Sequence, residues 1–156
     1  MSHTNHIELY TDGAASGNPG PGGYGVVLKY KDKRKEISEG FTRTTNNRME
    51  LLAVIVGLES VKNKDLIVNI FSDSKYVVDA INQKWLDGWQ RTGFKKKANV
   101  DLWLRFLDVY DPAKHRFFWV KGHASNIENN RCDELAVQAS KMPHQKIDEG
   151  YSEEKN

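Results

Sequence analysis

The chain has 156 residues, 38% of them hydrophobic and 28% charged, which is enough apolar material to bury one core and too much for a disordered chain. A net charge of +2 excludes a general polycation, and no run approaches the roughly 20 apolar residues of a membrane-spanning helix. The single cysteine, Cys132, excludes an internal disulfide and points to a reducing compartment; Met1–Asn5 has no signal-peptide character. The expectation is a cytoplasmic monomer, independent of membranes, with one domain over 1–156 and flexible tails at 1–5 and about 152–156.

In chain order, His6 to Asp12 alternates apolar and polar residues as a strand does. Gly13 to Gly23 is rich in Gly and Pro and reads as a long bent loop whose backbone can approach something closely. Gly25–Lys31 and Glu36–Phe41 read as strands joined by the charged turn Lys31–Arg34 into an antiparallel hairpin. Leu51, Val54, Ile55, Leu58 and Val61 recur at helical spacing, predicting an amphipathic helix from about Asn46 to Lys62, capped by Thr45 or Asn46.

Leu66–Phe71 is nearly continuous apolar sequence, as in a central strand covered on both faces. The strand–helix–strand crossover makes it parallel to an earlier strand. A helix follows from Ser74 to Ile81 and runs on through Trp85–Trp89, and another spans Asp101–Tyr110. Arg116–Lys121 is a fifth strand, Gly122–Asn126 a loop, and the last helix runs from about Glu128 to Lys141 with Cys132, Leu135, Ala136 and Ala139 inward. The order βββαβααβα describes an α/β chain with a mixed sheet covered by helices.

Three acids sit in matching contexts: Asp12 and Asp73 each end a strand, and Glu50 lies where a polar loop becomes an apolar helix. If the two strands are parallel neighbours, both Asp residues lie at the carboxyl edge of the sheet, where ligands bind in open α/β folds. Asp133, in the early turns of the last helix, is a fourth candidate. Close carboxylates repel, and a divalent cation such as Mg²⁺ or Mn²⁺ reverses that repulsion. Two such ions about 4 Å apart can clamp an in-line phosphoryl displacement. No nucleophile elbow, P-loop or Cys/His zinc spacing competes with that reading. Taken singly, each acid also reads as a turn or cap residue; their joint placement favours a site. His123, beyond a strand end, is a candidate proton shuttle.

Thr11-Asp12-Gly13, Gly17-Asn18-Pro19-Gly20-Pro21-Gly22-Gly23-Tyr24-Gly25, Thr44-Thr45-Asn46-Asn47-Arg48-Met49-Glu50-Leu51, Ser72-Asp73-Ser74, Trp119-Val120-Lys121-Gly122-His123 and Cys132-Asp133-Glu134-Leu135-Ala136 stand in the order and spacing of bacterial type 1 ribonuclease H (ribonuclease HI), which the chain resembles over roughly residues 6 to 151. The resemblance implies a ribonuclease H-like fold, a five-stranded mixed sheet with helices on both faces. It implies a Mg²⁺-dependent endonuclease cutting the RNA strand of RNA–DNA hybrids to 5′-phosphate and 3′-hydroxyl ends. By position, Asp12, Glu50, Asp73 and Asp133 match its metal-binding acids and His123 its mobile loop histidine.

A hybrid-specific enzyme must detect the 2′-hydroxyl, a donor and acceptor that amides and backbone groups suit. Asn18, Asn46 and Asn47 flank the proposed cluster in sequence, and the resemblance places RNA contacts at Gly13, Asn46, Asn47 and Glu50. It places Trp85 on a DNA sugar, Arg43 and Thr45 in a DNA phosphate pocket, and Lys75 where a Gln contacting RNA is expected. Arg91–Lys97, with Phe94 and Lys95, Lys96 and Lys97, resembles the family's basic protrusion, about five residues shorter. Phosphate contacts give affinity without base preference, so cleavage is expected to be largely sequence-independent. The competing readings are a non-catalytic hybrid-binding module and a DNA-cutting nuclease of the same fold.

Overall fold

The computed structural model describes residues 6–121, 126–143 and 145–151. Its strands are β1 (His6–Ala15), β2 (Gly20–Tyr30), β3 (Lys33–Thr44), β4 (Ile67–Ser72) and β5 (His115–Trp119). Its helices are α1 (Asn46–Glu59), α2 (Lys75–Asn82), α3 (Trp85–Arg91), α4 (Val100–Val109) and α5 (Ile127–Ser140). They form one five-stranded mixed sheet in the order β3-β2-β1-β4-β5. β1, β2 and β3 pair antiparallel, and β4 pairs parallel with both β1 and β5. The expected crossover is therefore present, and β1 and β4 are parallel neighbours.

Alternate residues of β1 feed two cores. Ile7 and Leu9 pack with α1, α4, Val26 and Ile70 in the larger one. Tyr10 faces the other way, with Val27, Cys132, Leu135 and Phe71, under α5. Tyr10 stacks on Phe71 at 5.0 Å between ring centres, and Phe71 on Phe118 at 5.4 Å.

Three local expectations are corrected. The glycine-rich stretch is mostly strand: β1 runs on to Ala15 and β2 starts at Gly20, leaving a short connection closed by Ser16 N–H donating to Pro21 O (2.7 Å). Gly17, with a φ of 89°, serves the bend, while Gly13, Gly22 and Gly23 serve packing. A Cβ on Gly25 would lie 2.3 Å from Cys132 O and 2.7 Å from Leu135 Cβ, so α5 can sit on β2 only where a side chain is missing. α1 is capped by Thr45, whose Oγ1 accepts from Arg48 N–H, but it is buried around nearly its whole circumference. The sheet lies beneath it and α4 over it, so it has no solvent stripe of the kind an amphipathic surface helix shows.

The helix predicted from Ser74 to Trp89 is two helices, because Lys84 takes a left-handed φ of 62° between α2 and α3. The chain thus has three helices between β4 and β5 where two were expected. Residues 145–151, beyond the last helix, are docked on the sheet rather than trailing from it. Lys146 N–H donates to Gly40 O (2.8 Å), and Asp148 accepts from Arg48 Nε (2.7 Å) and Thr44 Oγ1 (2.6 Å). Arg48, 1% exposed, also binds Asp101 through both terminal nitrogens, which fixes the start of α1 from two remote segments.

Gly25→Ala is expected to destabilise the protein by about 2 kcal/mol through forced separation of α5 from β2. Urea unfolding of the pair measures it; an unchanged midpoint would contradict the close packing.

Candidate active site

β1 and β4 last pair at Tyr10 and Phe71, and two residues further on both strands stand Asp12 and Asp73. Glu50 reaches them from α1. That approach depends on Gly13, where a Cβ would lie 2.4 Å from both Glu50 N and Met49 C. Each of Asp12, Glu50 and Asp73 offers a carboxylate oxygen, and these oxygens lie within 4.8 Å of one another.

The cluster is held out of solvent, with Asp12 7% and Glu50 6% exposed. Desolvation, then the charge of Asp73, pushes the Asp12 carboxyl from 3.8 up to about 8, against hydrogen bonds from Gly13 N–H (2.8 Å) and the Glu50 carboxyl. Burial, then Asp12 and Asp73, holds Glu50 well above the usual carboxylate range. Glu50 Oε1 and Asp73 Oδ1 are buried without any hydrogen-bond partner. Buried polar atoms are normally paired, and the two orphaned oxygens belong to acids that could hold a metal ion together. All-oxygen, carboxylate donors of this kind fit Mg²⁺ or Mn²⁺.

Asp133 lies on α5, half-buried and outside the 4.8 Å group; its charge contributes to the rise at Asp12. Three of the four predicted acids thus meet and the fourth stands at their border. His123 lies outside the described residues. Asn46 and Asn47 are exposed on the first turn of α1, beside Glu50 in the chain. Asn18 is exposed too, with its Oδ1 accepting from Asn46 N–H (3.0 Å), so it joins the β1–β2 connection to the helix start. Arg43 is exposed on β3, two residues before the Thr45 cap.

Lys75 opens α2 next to Asp73 and lays its ammonium over the Trp119 ring at 4.8 Å. Trp85 is 48% exposed at the start of α3, whereas Trp103 is fully buried and Trp89 packs edge-on against it. Lys95, Lys96 and Lys97 are exposed, and Lys97 sits over Trp89. Phe94 corrects the expectation of a surface aromatic. Left-handed backbone at Gly93, Phe94 and Lys96 turns its ring inward, and at 8% exposure it belongs to the core.

Sequence reasoning missed three contributors. Trp119 Nε1–H donates to Asp73 O (3.1 Å), Arg48 anchors α1, and Asn129 of α5 reaches the ends of β1 and β4. Arg48 and Trp119 stand in motifs read for other residues and Asn129 in none, and the partners of all three are remote in sequence.

The raised Asp12 value makes a prediction about stability. Between pH 3.8 and about 8 the unfolded chain has lost this proton while the native state keeps it, so native stability falls as pH rises through that window. In metal-free buffer, Asp12→Asn is expected to raise the Tm by several degrees at pH 8 and to change it little below about pH 4. Calorimetry at the two pH values checks it; an equal shift at both would contradict the electrostatic cause.

A family model described as RNase H matches residues 4–141. The chain is 55% identical to the ribonuclease H of Desulforamulus reducens over 147 residues, covering 91% of this chain and 92% of that one. Among solved structures, LC9-RNase H1, a type 1 RNase H with the type 2 active-site motif, superposes with a TM-score of 0.77 at 29% identity, over 90% of this chain and 74% of that chain. LC11-RNase H1 in complex with an RNA/DNA hybrid shares the fold with a TM-score of 0.59 at 24% identity, over 85% of this chain and 95% of that chain. With a match of this length and identity, the chain belongs to the ribonuclease H family.

Proposed function

We propose that this ribonuclease H cuts the RNA strand of RNA–DNA hybrids endonucleolytically, leaving 5′-phosphate and 3′-hydroxyl ends, with little dependence on sequence. The observation that carries this reading is the convergence of Asp12, Glu50 and Asp73, with orphaned oxygens on two of them. On this reading these acids hold two Mg²⁺ ions, for which Mn²⁺ can substitute, and Asp133 completes the set from α5. When bound, the ions supply Lewis-acid charge for attack at the scissile phosphorus and departure of the 3′-oxygen.

The residues around the acids orient the duplex. The exposed amides of Asn46 and Asn47, with the backbone at Gly13, read 2′-hydroxyls, and Asn18 supports them through its bond to Asn46. The exposed face of Trp85 packs on a DNA sugar, where a 2′-hydroxyl would intrude. Arg43 and Thr45 receive a DNA phosphate, Lys75 lies on the RNA side of Asp73, and Lys95, Lys96 and Lys97 bind further phosphates. His123, which follows β5 in the chain, moves a proton and assists product release. Lone action of a single domain as a cytoplasmic monomer belongs to the same proposal. Among the described residues no helix is long and apolar enough to cross a membrane.

The test is an end-labelled RNA–DNA hybrid incubated with and without Mg²⁺, with duplex RNA and duplex DNA alongside. The expected outcome is metal-dependent cutting of the hybrid's RNA strand alone, reduced about 10³-fold or more in Asp12→Asn. Tight hybrid binding without cleavage in Mg²⁺ or Mn²⁺ would leave a binding module, and cutting of duplex DNA would leave a different nuclease. In the same assay, replacing Lys95, Lys96 and Lys97 by Ala should raise KM with kcat nearly kept. It should also flatten the salt dependence of binding by up to about 0.9 for each phosphate no longer neutralised. An unchanged salt slope would remove these lysines from the interface.

A further inference from the structure

We infer that Asn129 is a positioning residue for the metal site, its side-chain amide fixing the separation of Asp12 and Asp73; the inference rests on the proposed role of those acids. Asn129 Nδ2 donates to Phe71 O (3.1 Å) on β4 and to Thr11 O (3.4 Å) on β1. Its two hydrogens therefore straddle the seam between two parallel strands at the end of their pairing, which closes at Tyr10 and Phe71. Thr11 directly precedes Asp12, and Phe71 lies two residues before Asp73. Beyond that point the strand ladder no longer ties β1 to β4, while the carboxylates they carry repel. The amide supplies the cross-strand link that the ladder has stopped providing.

Further observations describe how the residue is held. With two carbonyl oxygens in front of it, the side chain can present only its NH₂, and this leaves Asn129 Oδ1 buried without a partner. The helix is locked in register with β1: Cys132 Sγ–H donates to Tyr10 O (3.2 Å), Asn129 binds Thr11 O, and Asp133 adds its charge at Asp12. Asn129 and Asp133 are one turn apart, so the bonds that set the strands also set Asp133 against them. The backbone of Asn129 is held in turn by Asn126, whose Oδ1 accepts from Asn129 N–H (3.1 Å). Trp119 Nε1–H donates to Asp73 O, so the segment from Phe71 to Asp73 is held at its two ends by Asn129 and Trp119.

The test compares wild type with Asn129→Ala and Asn129→Ser, the second keeping a small polar group should Ala fail to fold. Asn82→Ala is the control. It removes a single side-chain bond to a strand carbonyl, Asn82 Nδ2 to Phe117 O (3.0 Å), away from the acids. Mg²⁺ affinity is read from backbone amide shifts in a metal titration, Tm from calorimetry, and kcat and KM from hybrid cleavage. The expected result is Mg²⁺ affinity and kcat each lower by about tenfold or more in the Asn129 variants, with KM for the hybrid within about twofold. Asn82→Ala should lose comparable Tm and leave both values at wild type. Asn129 variants that bind Mg²⁺ and turn over like wild type would overturn the inference while leaving the proposed function standing. So would an equal loss in Asn82→Ala. A wild-type protein that neither binds Mg²⁺ at these acids nor cuts the hybrid would overturn both.

Discussion

Three carboxylates within 4.8 Å of one another, two of them nearly shielded from water, are the constraint that the rest of this structure serves. Left alone, such groups separate or take up protons, and the raised Asp12 and Glu50 values are the sign of that tension. The fold resists separation at each member. Asp12 and Asp73 ride on adjacent parallel strands in the middle of a five-stranded sheet, where neither strand can swing away. Glu50 rides on a helix buried on nearly every side, pressed to β1 across Gly13, with its start held by Arg48 against Asp101 and Asp148. Strain of this kind is retained only when surrounding packing over-determines it, and it collects where function needs it.

The surroundings of the acids follow from the same placement. Glu50 lies early on α1, which opens with the exposed amides of Asn46 and Asn47. Asp73 leads through the Ser74 cap into α2, where Lys75 lies over Trp119 and Trp119 donates to Asp73 O. Trp85 and Lys95, Lys96 and Lys97 are exposed further along the chain, at the start of α3 and after it. On the proposed function these exposed groups are the ones a hybrid would meet.

Much of this was legible in the chain because its signals are local. Alternation up to Asp12 marks the first part of β1, which runs on to Ala15, and a continuous apolar run leading to Asp73 marks β4. Their parallel pairing follows from a helix-length crossover, and Thr45 is a helix cap by residue type. What could not be read depends on distant partners. Arg48 looks like a surface residue at the polar end of a helix, yet its partners lie 53 and 100 residues away, and they bury it. Gly25 reads only as the first residue of a strand, and its lack of a side chain gains its meaning when α5 is laid on it. Asn129 looks like an ordinary residue in the first turn of a helix, and only the sheet edge beneath it gives the amide its meaning. Phe94 sits in a basic, turn-rich stretch that reads as exposed, and left-handed backbone at its own position tucks it into the core. Asp133 is marked by its motif, but its distance from the other acids is set by how far along β1 the helix lies.

The most direct measurement is a crystal structure of the catalytically silenced Asp12→Asn protein with an RNA–DNA hybrid and Mn²⁺, the ions located by anomalous scattering. The expected result is ion density against the Glu50 and Asp73 carboxylates, the RNA backbone over them, and the DNA strand on the Trp85 side. Ions bound elsewhere, or a hybrid lying on another face of the sheet, would contradict a carboxylate-centred site.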